Sequence, residues 1–154
     1  MARDFNETDK KKKKGRIQLP ENPGNLTPER LAELEEKVKA SLKGGYLPCA
    51  KAFSIAGELN VPKIAVGAMT DKIGVRVSDC RTGCFKVDKI IHEDTGKKPD
   101  EKIMQAVENL KEKDELTCAN VFILAERLGV VPMKVADAVN LYGWKIKQCQ
   151  LGCF

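Results

Sequence analysis

The chain has 154 residues, 42% hydrophobic and 32% charged, with a formal net charge of +5, enough for one ordinary domain or two very small ones. No apolar run approaches the ~20 residues of a membrane span, and Met1-Ala2-Arg3-Asp4-Phe5-Asn6-Glu7 holds no apolar export segment, so a cytoplasmic protein without a membrane partner is expected. A single histidine, His92, excludes a multi-histidine metal site and leaves little room for histidine catalysis, so the composition favours a binding or sensing module over an enzyme.

Residues 1–27 carry 7 basic and 4 acidic side chains, residues 28–85 carry 9 and 7, and residues 86–154 carry 11 and 11. The basic excess thus centres on Lys10, Lys11, Lys12, Lys13 and Lys14. A run of like charges repels itself, so residues 1–26 read as a disordered lysine-rich tail. Such a tail either solubilises the chain or meets phosphates without regard to sequence.

After the tail the chain repeats itself. Shifted by 69 positions, Leu47–Phe85 aligns without a gap on Leu116–Phe154, and 13 of the 39 pairs are identical. Three cysteines fall in register in both copies, which chance does not arrange. The expected boundaries are 1–26 for the tail, 27–85 for repeat one, 86–98 for a linker and 99–154 for repeat two.

Repeat one opens with Thr27-Pro28, an N-cap followed by proline at the first helical position. Leu31, Leu34, Val38 and Leu42 form the apolar stripe of that helix, and Gly44-Gly45 is expected to end it. In repeat two Pro99-Asp100 takes the opening role, and Ile103, Val107 and Leu110 form the stripe. Next comes a short amphipathic segment, Ala50 to Leu59 in repeat one. A turn follows at Asn60 or Gly129, and then a second helix over Pro62–Ile73 or Pro132–Tyr142. Ala56 and Ala125 supply the small residue that two crossing helices need, and Asn60 and Gly129 tolerate a positive φ. Ile55, Leu59, Val61, Val66 and Met69, matched by Leu124, Leu128, Val130, Val135 and Ala138, fill the apolar offsets.

This pattern resembles the helix-turn-helix of prokaryotic transcription regulators over about 20 residues per repeat. Val75-Arg76-Val77-Ser78 and Trp144-Lys145-Ile146-Lys147 alternate as strands, which are expected to pair across the two repeats. The expected fold is therefore mainly α: two tandem helix-turn-helix-like, winged-helix-like repeats, each with a short C-terminal strand, packed on each other. Lone Trp144 is expected in the core or between the repeats.

The resemblance implies DNA as a partner and transcription regulation as the function. The residues that would carry it are Lys63, Thr70, Lys72 and Arg76 in repeat one, with Lys134, Asn140, Lys145 and Lys147 in repeat two. The remaining outward positions of the second helices, Gly67, Ala68 and Asp71, then Pro132, Met133 and Asp137, are small, apolar or acidic. That set reads bases poorly and keeps open an alternative, a module that binds a protein or carries a metal on the same scaffold.

The cysteines follow the spacing Cys-x30-Cys-x3-Cys twice, at Cys49, Cys80 and Cys84 and at Cys118, Cys149 and Cys153. If each strand returns to its own helix start, three thiols converge per repeat. They would then hold an iron–sulfur cluster or zinc, act as redox-sensitive thiols that modulate the repeats, or simply pack. The paired C-x2-C of a zinc knuckle is absent, as are a phosphate-cradling glycine loop and a serine–histidine–aspartate set.

Overall fold

The computed structural model describes residues 7–16, 19–82 and 100–153. Among them the protein is mainly helical, with seven helices and one small two-stranded sheet. The expected linker and Cys84 lie outside the described residues. The chain divides into two compact units, one of Met1–Asp79 with Gln150–Phe154 and one of Cys80–Cys149.

The first unit begins with α1 (Glu7–Arg16), which spans the lysine run read above as disordered. Glu7 and Asp9 sit in its first turn, where carboxylates suit the helix dipole. Its charges are also answered from elsewhere in the unit. Asp9 pairs with Arg76 at 3.2 Å, and both oxygens of Asp71 lie 2.7 Å from Lys13 Nζ. One lysine of the run, Lys13, is thus neutralised by a carboxylate 58 positions away along the chain.

Helix α2 (Pro28–Ala40) starts where its cap predicts, with Thr27 Oγ1 accepting from the Arg30 amide at 3.3 Å. It ends at Ala40, before the glycine pair. Gly44 and Gly45, at φ of 56° and 81°, instead make a tight turn closed by mutual Lys43 and Tyr46 backbone bonds of 2.7 and 3.0 Å. Strand β1 (Tyr46–Pro48) leaves that turn and runs into α3 (Cys49–Leu59), α4 (Lys63–Ile73) and β2 (Arg76–Ser78). The α3–α4 corner turns at Asn60, which adopts φ 51° while its amide returns to the end of α3.

β1 and β2 pair in parallel, with Tyr46, Leu47 and Pro48 opposite Arg76, Val77 and Ser78. A parallel pair needs a crossover, and α3 and α4 supply it. β2 therefore pairs with a strand ahead of α3, not with its counterpart near Trp144. Leu34, Val38, Leu47, Ile55, Val66 and Val77 make the core of this unit, each fully buried or nearly so. At about 1.5–3 kcal/mol for each large apolar side chain, that burial is what holds the short helices together.

The second unit holds α5 (Glu101–Glu112), capped by Asp100, then α6 (Cys118–Leu128) and α7 (Pro132–Leu141). α3 and α6 have the same bounds once shifted by the repeat offset, and Gly129 turns the corner at φ 66° as Asn60 does. Where a strand was expected over Trp144–Lys147, the described residues show a single bridge, Thr117 with Lys147. Ile103, Val107, Leu116, Val121, Leu124, Val135, Val139 and Ile146 form the core.

The tracts after β2 and after α7 do not return to their own helices. Asp79 and Gln148, equivalent in the two copies, both turn through the left-handed region, at φ 50° and 51°. Beyond them the Cys80–Thr82 stretch belongs to the second unit and the Gln150–Cys153 stretch to the first. Leu151 is fully buried there. Its carbonyl lies against α4 where Gly67 has no side chain; a Cβ at Gly67 would stand 1.7 Å from that oxygen. In the second unit Thr82 is buried, and the Arg81 guanidinium lies 5.0 Å from the centre of the Phe122 ring.

Candidate nucleic-acid interface

The two second helices, α4 and α7, are equivalent in sequence and differ in what covers them. On α4, Thr70 was expected to face outward; it is 2% exposed, and its hydroxyl donates to the Gly67 carbonyl at 2.7 Å. It cannot reach a base, because the helix needs it as a core filler that satisfies its own polar atom. Gly67 is covered by Leu151. Arg76 is held by Asp9 and Asp71 by Lys13, so α1 occupies this side of the first unit. Lys63 and Lys72 remain exposed. Lys63 Nζ also sits 4.9 Å from the Phe53 ring centre and 3.3 Å from Gln150 Oε1.

On α7, Lys134 and Asn140 are exposed, and Lys145 follows, also exposed. Pro132 is buried and Met133 half-buried, so neither presents an open face. Lys147 is exposed and pairs with Asp114 at 2.8 Å. That hydrogen bond and the lysine charge hold the Asp114 carboxyl below its usual range, though so exposed a pair adds little stability. Val131 and Leu141, at the two ends of α7, are 59% and 65% exposed, and Ile123 on α6 is 54% exposed.

One grouping near α7 has no counterpart in the sequence expectations. Tyr142 and Trp144 stack with centroids 4.2 Å apart and planes 13° from parallel. Lys111 Nζ stands 5.7 Å from the Trp144 ring centre. Trp144 is half-buried rather than a core residue. The Tyr142 hydroxyl donates to the Glu108 carboxylate, and that bond raises the phenol pKa above its usual range. The clue in the sequence was two aromatics flanking a helix-ending glycine, Gly143, which lets the chain fold back by adopting φ 70°.

The cysteines are distributed differently from the expectation of three thiols per repeat. Cys49 and Cys118 begin α3 and α6, both buried. Cys80 is buried beside Thr82, with its sulfur 3.2 Å from the Thr82 hydroxyl. Cys149 and Cys153 are half-buried. Because the closing tracts are exchanged, Cys153 shares a unit with Cys49, while Cys80 and Cys149 share one with Cys118. Among the described residues no group of three or more histidine, cysteine or acidic side chains is placed to hold a metal ion. Among the same residues no helix is long and apolar enough to cross a membrane.

On α7 the arrangement thus leaves Lys134 and Asn140 exposed, with Lys145 and Lys147 beyond the helix, whereas Asp71 and Arg76, which match Asn140 and Lys145 in the first copy, are engaged by α1. Comparison with known protein families, with curated proteins and with solved structures finds no match for the chain.

Proposed function

We propose that the chain is a non-enzymatic, nucleic-acid-binding regulatory protein of tandem helix-turn-helix-like repeats, and that α7 is its contact helix. One observation carries this reading: α7 keeps Lys134 and Asn140 exposed, with Lys145 and Lys147 exposed just beyond it. Lysines on phosphates supply affinity that is independent of sequence, and an asparagine on a helix is suited to an adenine edge. The contact is asymmetric, because the side of α4 that carries Asp71 is engaged by α1.

The test is fluorescence anisotropy of a labelled DNA duplex across a salt series. We expect affinity to fall steeply with salt, and the K134E/K145E double variant to bind at least about tenfold more weakly with a shallower slope. A second variant, K11E/K12E, reverses two exposed lysines of α1 and should retain most of the binding. Binding without salt dependence, or binding lost wholly through K11E/K12E, would overturn the reading.

A second reading, a protein-binding module, is favoured by the exposed apolar side chains of Ile123, Val131 and Leu141. It predicts a chain indifferent to duplex DNA at every salt concentration.

A further inference from the structure

The first unit contains a cavity of about 600 Å³ roofed by α1 and by residues 19–26. That volume lies within the range of small-molecule sites, ~300–1,000 Å³. Its apolar wall comes from Leu19 and Leu26 of that segment, Leu31 of α2 and Ala68 and Met69 of α4. The three leucines are only half-buried, so their apolar surface is left incompletely covered at this one place. The rim is charged. Lys13 and Asp71 neutralise each other at 2.7 Å, and Glu7 already has a partner. What remains at the rim is Lys14 and Lys72 against Glu21, all three exposed, an excess of one positive charge.

We propose that this cavity binds a small amphipathic anion, an apolar carboxylate whose chain lies on the leucines and Met69 and whose head group meets Lys14 and Lys72. Each half of the ligand answers one half of the site. The apolar chain removes leucine surface from water, and the carboxylate makes charge-assisted contacts with two ammonium groups. A ligand lacking either half forfeits the corresponding contacts. The site joins α1 to α2 and α4, so an occupant stabilises the docked position of α1. This inference does not depend on nucleic-acid binding.

Isothermal titration of the full chain with sodium octanoate tests it, with octan-1-ol and sodium acetate as the two half-ligands. We expect saturable octanoate binding at one per chain, and octanol and acetate weaker by at least about tenfold each. Ala68→Trp fills the cavity and should abolish the binding. The K14E/K72E variant changes two exposed side chains and should keep the wild-type circular dichroism spectrum, while octanoate affinity falls at least about tenfold and octanol is spared. Absence of saturable octanoate heat, octanol binding as tightly as octanoate, or octanoate binding undiminished in K14E/K72E would each overturn the proposal.

Discussion

Gly67 shows how one missing side chain decides a packing arrangement. Alanine there would favour the helix by up to about 1 kcal/mol, and alanine is the equivalent residue on α7, at Ala136. Yet the Leu151 carbonyl occupies the space a Cβ would need. We expect Gly67→Ala to lose about 1–3 kcal/mol net, because a backbone tract and not a flexible side-chain end must move. Thermal unfolding of the variant checks this; an unchanged or raised midpoint would contradict the tight seat. Tyr142 gives a second prediction at this scale. Its bond to Glu108 raises the phenol pKa, so any stability it contributes is present below the ordinary tyrosine range and is lost as pH rises through the folded value. Absorbance titration should show a phenolate forming above that range, and Glu108→Ala should bring it back.

The elements were legible wherever their signals are local. Thr27, Asn60 and Gly129 bound helices because a cap or a left-handed residue acts within one turn, and those positions could be read directly. α1 was not legible. Five adjacent lysines argue against order by composition, and the groups that pair with this helix, Asp71 with Lys13 and Arg76 with Asp9, are distant in sequence. The same holds for the sheet, since alternation marks Arg76–Ser78 as a strand without naming its partner. The dependence of α1 on these two ion pairs makes a prediction. Asp71→Lys should strip amide exchange protection from residues 7–16 and leave α2 and α3 unchanged. High salt should do the same in part, because partly exposed pairs are screened. Protection of α1 that survives Asp71→Lys would show that other contacts hold it.

The duplication marked the closing tracts as equivalent but could not say which unit each completes, because a sequence offset identifies matching segments and carries no information about their neighbours. The candidate site suffered for the same reason. Thr70 and Arg76 lay on the expected face, and what removes them from it comes from packing inside the helix pair and from α1. The exchange is testable through Leu151. Leu151→Ala should cost about 3 kcal/mol and should loosen α2, α3 and α4 in hydrogen exchange while α5 and α6 keep their protection. Loosening of α5 and α6 instead would place the tract in the other unit.

Unit composition also sets an order of events during synthesis. The second unit is drawn from the continuous stretch Cys80–Cys149, whereas the first must wait for Leu151 although its helices are complete by Asp79. At ~5–20 residues per second, the groove beside Gly67 stays open on the nascent chain for roughly ten seconds. During that interval α2, α3 and α4 form an unfinished half, and the half made later is the first to close. The half begun first is thus completed last, by a tract translated after the whole of the second unit.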